Sequence, residues 1–558
     1  MNVEKIARKY ALKNAVEHEG KCNPGAVIGK IFAEEDFENK GEVQQKTQTV
    51  CQKVNELSLE KQEEELGSYE FEEEEEDEHD PIPDLEDAEE GEVVLRLAPN
   101  PNAPPHIGHG RMAVINGELK QKYDGKLILR YDDTDPQTKR PLKNEEYDAY
   151  QMQKEDFEWL GYEIDEVRYS SKNFDTYIEY AEDLIKLEKA YVCQCSQEEG
   201  QKYRKEGEAC PHRDQTSDEN MKLWKKMKEG GLNEGEAVLK IKTDMNHKNP
   251  AVRDFIAFRI IEDPDHPITG DEYRVWPMLD FQGAIEDHLM GTTHIFRGKE
   301  LRASAERQKY IYNYFGWEYP HVNHWGDVQI SGFNAPVSSS TLKKMIENSE
   351  LDGWDDPRAP TLRALRRRGF QPEAIRKFFI DMGVTENNID ASIETLETEN
   401  TRVIDADTER RFFVRNPVEL EISEVPQDTK VEIPKHPEND MGERNFPIRI
   451  EDGKITVLIE EEDLEDGLIR LKGLCNVQIE DGEGKFVEGD HTVALENNGN
   501  ILHWVPEDSE TAEVHMPNGE MLEGRIEPSN YEKNQIYQFE RFGFVRNNAE
   551  KVFYYAHQ

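Results

Sequence analysis

The feature that most constrains this chain is a pair of segments, residues 96–111 (RLAPNPNAPPHIGHGR) and residues 130–136 (RYDDTDP). The first reads as a strand, a proline-rich turn and a helix opening at His106 to His109. The second follows the apolar run 127–129, which suits a buried parallel strand. Strand, helix and parallel strand make a βαβ unit, whose ligand sites lie at the carboxyl ends of the strands. Two histidines then bracket a glycine at a helix N-terminus, where unpaired N–H groups and the positive dipole end favour an anion. The imidazoles of His106 and His109 add donors to that cradle. Gly108, with no Cβ, lets a flat ring approach the backbone.

The same reading orders the rest of the chain. Strands at 93–97 and 127–131 flank a helix from about 108 to 123, and helical patterns follow at 145–160 and 173–188. Residues 193–276 break this rhythm and read as an insertion between two halves of one α/β domain, 92–192 and 277–345. Sheet elements are expected to resume at 279–281, followed by the run 284–290. A strand at 293–299 ends in a charged turn. Residues 346–404 read as a helical connector with a basic cluster at 362–370. From 405 to 558 valine-rich alternation with Gly and Asp turns predicts an all-β region, sandwich or barrel. At the front, residues 1–40 read as a small helical extension. Residues 41–91 read as an acidic linker, because residues 72–90 carry thirteen acidic side chains and no Lys or Arg.

Charge narrows the class further. The 558 residues include 118 Asp and Glu against 69 Lys and Arg, a formal charge of -49. A nucleic-acid binder ordinarily carries a basic footprint, so the sign leaves two readings. Either the chain does not bind nucleic acid, or it works in molar salt, where a Debye length of about 3 Å suits acidic surfaces. Six cysteines in a chain of this length do not make a disulfide scaffold. Residues 1–21 lack the apolar core of a secretory signal, and no 18-residue apolar stretch is present, so a cytoplasmic protein without a membrane span is expected.

Residues 106–109 resemble the HIGH signature of class I aminoacyl-tRNA synthetases. The Arg96-x-Ala-Pro before them and Asp132 to Asp135 after them resemble the glutamyl/glutaminyl branch. Residues 538–546 (QFERFGFVR) resemble the end of the anticodon-binding β-barrels of glutaminyl and archaeal-type glutamyl enzymes. The resemblance covers nearly the whole chain after residue 92. It implies a Rossmann-type α/β catalytic domain with an inserted acceptor-stem-binding domain, a helical connector and C-terminal all-β anticodon-binding barrels. It implies ATP-dependent attachment of L-glutamate to tRNA(Glu) through a glutamyl-adenylate, with Mg2+ beside the nucleotide, and leaves tRNA(Gln) open as a second acceptor. DNA is not an expected partner, and the enzyme is expected to be a monomer. A glutaminyl enzyme is the alternative within the class, and a catalytically silent tRNA-binding paralogue the alternative outside it. With nucleic acid implied, the acidity is read as adaptation to molar salt, that of a halophile.

The resemblance also assigns residues. His106 and His109 hold phosphate oxygens, with Gly108 beside them. The second ATP element falls at residues 337–344, where Ser338, Ser339 and Ser340 supply hydroxyls and a helix cap. Thr341 stands where relatives carry the catalytic lysine, leaving Lys343 and Lys344 to face pyrophosphate. For the amino acid, Arg96 matches the arginine that reads the side-chain end, Asp132 the acid that takes the α-amino group, and Arg297 an arginine of glutamyl enzymes. Arg297 favours glutamate over glutamine. Leu279 replaces a substrate-contacting tyrosine, or is a core leucine. Cys193, Cys195, Cys210 and His212 have the C-x-C-x14-C-x-H spacing of a structural zinc site. Arg410 matches an anticodon arginine, and Arg363 and Arg366 form a basic island suited to a tRNA backbone.

Overall fold

The structure is a computed structural model that describes residues 3–17, 20–22, 24, 27, 31, 40–55, 57–67, 69, 81–489 and 499–558. It divides into two units, Met1–Asp80 and Pro81–Gln558.

The first unit corrects the sequence reading. Helices Lys40–Asn55 and Leu59–Leu66 occupy what was expected to be linker. Val43, Thr47, Val50, Cys51 and Val54 fall on one helical stripe and are buried against Ile6, Ala11, Leu12 and Ala15 of helix Val3–Glu17. Gln62 ties the corner by donating to Gly20 O (3.1 Å) and Val54 O (2.8 Å). The apolar period was present, but surrounding polar residues masked it. The acidic run 72–80 lies outside the described residues.

In the second unit, residues 81–91 are also not linker. Ile82 and Leu85 are buried in the main apolar core. Leu85 N–H donates to Tyr123 Oη (2.8 Å), and Lys122 pairs with Asp84 (3.0 Å). Strands Val94–Leu97, Lys126–Tyr131 and Glu166–Tyr169 form a parallel sheet, with Leu95 beside Leu127 and Leu129 beside Val167. A second parallel pair, His294–Gly298 and His321–Trp325, abuts it. Val94 N–H donates to Thr293 Oγ1 (2.9 Å) and Thr293 N–H to Val94 O (3.0 Å). The strand order reverses between Val94–Leu97 and His294–Gly298, the crevice where open α/β sheets bind ligands.

Residues 279–290 are a helix, Leu279–Leu289, rather than sheet elements. Phe281, Ala284 and Ile285 recur at helical spacing and fill the core. Leu279 itself is 47% exposed at the helix start, so it is not a core residue. The insertion is a four-stranded antiparallel sheet, Ala190–Cys193, Val238–Ile241, Ile256–Ile260 and Val275–Pro277, in chain order. Its helices Gln197–Glu206 and Ser217–Glu229 start at capping boxes, Ser196 with Glu199 and Thr216 with Glu219. The connector carries helices Leu362–Arg368, Pro372–Met382 and Ile393–Ile404. Beyond it lie two seven-stranded sheets, each with its own core.

Candidate functional site

Helix Ile107–Lys122 begins in a capping box made of two histidines. His106 Nδ1 accepts from Gly108 N–H (3.1 Å), and His109 Nδ1 accepts from His106 N–H (3.3 Å). The ring centroids are 3.9 Å apart. Burial pushes the His106 pKa down to about 4 and that of His109 well below its ordinary value, so both rings are neutral at pH 7. Each neutral ring spends Nδ1 as an acceptor, which leaves its proton on Nε2 as a free donor. A Cβ at Gly108 would lie 3.0 Å from His106 Cε1. The glycine thus admits the capping ring of His106 itself.

Two sets of bonds fix this turn. Gln153 Nε2 donates to Asn100 O (2.9 Å) and Ala103 O (2.7 Å) across the proline-rich loop. Ile107 N–H donates to Pro360 O (2.8 Å) and Leu362 N–H to Pro105 O (3.0 Å), stitching the turn to helix Leu362–Arg368. Asp132 N–H donates to Pro99 O (3.0 Å), and Asn100 Nδ2 to Asp132 O (2.8 Å). The histidine turn and the loop after Tyr131 are therefore one assembly.

At that crevice three buried arginines converge on one carboxylate. Asp287 Oδ1 accepts from Arg96 Nε (3.1 Å) and Arg130 Nη1 (2.7 Å), and its Oδ2 lies 3.8 Å from Arg297 Nη2. Burial alone would raise the Asp287 pKa, yet Arg96, Arg130 and Arg297 together hold it below the ordinary range. Asp132 accepts from Arg130 Nε (2.7 Å) and Gln282 Nε2 (2.9 Å). Neighbouring Glu286 is answered by Tyr177 Oη (2.6 Å), Asn173 Nδ2 (2.7 Å) and Arg168 (3.6 Å). Three guanidinium groups against Asp132 and Asp287 leave one unbalanced positive charge, a place for a carboxylate ligand. Arg96, Asp132 and Arg297 are thus brought together. Arg130, Asp287, Gln282, Gln308 and Tyr319 were missed in the sequence. For Arg130 the available signal was a charged residue inside the apolar run 127–131; the others depend on partners distant in sequence.

Ser338 stands at the N-cap of helix Ser339–Glu347 but makes no capping bond through its side chain. Its hydroxyl instead accepts from Thr341 Oγ1 (3.1 Å) and lies 3.3 Å from Ser340 Oγ. Buried Leu342 docks this helix beside Ala103 and Trp354, and the next two residues, Lys343 and Lys344, face outward. Lys343 lies 4.0 Å from Glu347.

The basic residues assigned to tRNA are mostly committed to the chain itself. Arg363 pairs with Glu155 (2.6 Å) and Asp156 (3.1 Å). Arg410 is buried, pairs with Asp405 (2.6 Å) and donates to Thr408 O (2.9 Å). Arg368 is buried and donates to Tyr555 O (3.1 Å) and Ala556 O. Only Arg366 of the assigned set is exposed, with its guanidinium 5.6 Å from the Trp159 ring centre. A buried guanidinium must be paired, and acids and carbonyls of the fold supply the partners here.

Cys193, Cys195, Cys210 and His212 meet, their ligand atoms all within 4.8 Å of one another. Cys193 Sγ is 3.7 Å from Cys210 Sγ, and Cys195 Sγ is 3.4 Å from His212 Nδ1. Ligands on a tetrahedral zinc stand about 3.8 Å apart for two sulfurs and about 3.5 Å for sulfur and nitrogen. The donor set and spacing fit such an ion. Strand Ala190–Cys193 and the turn before helix Ser217–Glu229 supply the two halves of the site.

The chain matches the family model for the catalytic domain of class I tRNA synthetases (E and Q) over residues 92–406, and that for their anticodon-binding domain over residues 408–496. It is 44% identical to a protein of Archaeoglobus fulgidus named glutamate–tRNA ligase, across 100% of both chains. It is 45% identical to a protein of the same name from Pyrococcus furiosus, again across 100% of both. Among solved structures, a glutamate tRNA ligase from Elizabethkingia meningosepticum in complex with its amino acid aligns with a TM-score of 0.40 and 20% identity, over 56% of this chain and 69% of that one.

Proposed function

The chain belongs to the class I tRNA synthetases of the E and Q branch, and from that premise we propose that it attaches L-glutamate to tRNA(Glu) at the expense of ATP. The carboxylate of glutamate displaces pyrophosphate at the α-phosphate, and a ribose hydroxyl at the tRNA terminus then displaces AMP. Positioning and charge neutralisation carry such a reaction. The observation that carries this reading is the unbalanced positive charge of Arg96, Arg130 and Arg297 at the crevice of the sheet, joined by hydrogen bonds to the histidine turn.

In this reading His106 and His109 each present a neutral Nε2–H to phosphate oxygens, with Gly108 and the hydroxyls of Ser338, Ser339 and Ser340 bounding the nucleotide. Arg96 and Arg297 take the carboxylate at the side-chain end, and Asp132 the α-ammonium group. Lys343 and Lys344 supply charge for pyrophosphate, and Mg2+ accompanies the nucleotide. Cys193, Cys195, Cys210 and His212 hold a structural zinc that braces the inserted domain. Metal analysis of the purified protein should return one zinc per chain, lost when Cys210 is changed to Ser. The enzyme works as a monomer in the cytoplasm. Among the described residues no helix is long and apolar enough to cross a membrane.

Aminoacylation in molar KCl with ATP, Mg2+, labelled glutamate or glutamine, and each purified tRNA tests the proposal. Glutamate on tRNA(Glu) is the expected product, and glutamate on tRNA(Gln) as well would define a non-discriminating enzyme. Glutamine charging would overturn the amino-acid assignment, and tRNA binding without charging would overturn the catalytic one.

A further inference from the structure

Arg297 differs from the other two arginines of the cluster in how it is held. Arg96 and Arg130 lie 3.1 and 2.7 Å from Asp287, whereas Arg297 comes no nearer to it than 3.8 Å. Its Nη1 donates instead to the amide oxygen of Gln308 (3.1 Å), and the same oxygen accepts from Tyr319 Oη (2.9 Å). Gln308 is 3% exposed, on helix Arg302–Phe315. Its amide nitrogen packs on Gly283, where a Cβ would lie 3.0 Å from it and press it aside by a few tenths of an ångström. Buried Arg297 Nε has no hydrogen-bond partner among the described residues.

A neutral acceptor orients a guanidinium without cancelling its charge, while a carboxylate in the same place would do both. We propose that Gln308 is a positioning residue that sets the choice of glutamate over glutamine: its amide oxygen aims Arg297 at the substrate's γ-carboxylate and leaves that arginine's charge unneutralised. Tyr319 fixes the amide by donating to the same oxygen, and Gly283 gives the amide room. This rests on the amino-acid pocket proposed above and goes beyond it by naming the group that directs Arg297 without cancelling its charge.

The test is Gln308→Glu, which keeps shape and both hydrogen bonds but adds one negative charge, bringing the cluster to balance. Aminoacylation of tRNA(Glu) is measured with glutamate and with glutamine. The ratio of kcat/KM for glutamate over glutamine is expected to fall by about tenfold or more, mainly through a higher KM for glutamate. A smaller fall, or one confined to kcat with the glutamate KM unchanged, would overturn the proposal. Should Gln308→Glu prove inactive, Tyr319→Phe decides. Freeing the amide should raise the glutamate KM by about threefold or more with little change in kcat, and an unchanged KM counts against the proposal. If the unaltered enzyme fails to charge glutamate at all, the proposed function fails instead, so the two failures are distinguishable.

Discussion

Two arginine-rich regions of this molecule look alike in sequence and differ in what they leave over. At the sheet crevice, Arg96, Arg130 and Arg297 share two carboxylates, Asp132 and Asp287, and one positive charge stays unanswered. In the connector and the junction beyond it, Arg363, Arg368 and Arg410 are answered by acids and backbone carbonyls of the chain itself. The first region has charge to give a ligand, and the second uses its charge to hold elements together. Counting arginines in a window therefore does not find a binding site; counting their partners does.

The sharpest way to break the comparison is Arg297→Ala. It should lower kcat/KM for glutamate by about 100-fold, since a charged hydrogen bond to the substrate is lost, with the melting temperature nearly unchanged. Next, Arg410→Met should cost about 1–3 kcal/mol of stability by leaving Asp405 and the Thr408 carbonyl unpaired, while tRNA affinity by filter binding stays within about twofold. A tenfold loss of tRNA affinity at constant stability would make Arg410 a ligand contact and sink the contrast. A third effect concerns the histidine turn. His106 is neutral in the fold because burial lowers its pKa from 6.5 to about 4. The unfolded chain takes up that proton first, so this contribution is intact above pH 6.5 and is lost as pH falls toward 4. His106→Asn, which can still cap the helix, should flatten the acid limb of denaturation curves. The smallest effect is a slope. If most basic side chains are spent internally, few phosphate counterions are released on tRNA binding, and log Kd against log [KCl] should be shallow. A steep slope would mean a basic surface beyond Arg366 takes part.

Legibility followed the range of the interactions involved. The histidine turn was readable because strand, turn and helix are local and the tetrapeptide sits between them. Arg96, Asp132 and Arg297 were readable from the resemblance. Asp287 and Gln308 were not, because their meaning lies in partners 191 and 11 positions away, Arg96 and Arg297, on other elements. The metal-ligand spacing of Cys193 to His212 was legible because residue type and spacing alone restrict it, and the four side chains do converge. Helix Lys40–Asn55 is hard to read from sequence because the Lys and Gln side chains between Val43, Val50 and Val54 dilute the apolar period. Leu279 was misplaced for a related reason: three residues of a run cannot tell a strand from the first turn of a helix.

Helix Leu362–Arg368 is tied down at both ends. Its first residue is bonded to Pro105, one position before His106, and Arg368 at its other end is clamped to the carbonyls of Tyr555 and Ala556. Seven residues of helix span about 10 Å, so a stiff strut joins the C-terminal sheet to the histidine turn. Removing residues 555–558 would strand a buried guanidinium at one end of that strut. The damage would surface at the other end as a slack histidine turn, a lesion produced by trimming the last strand of another sheet, Val552–His557.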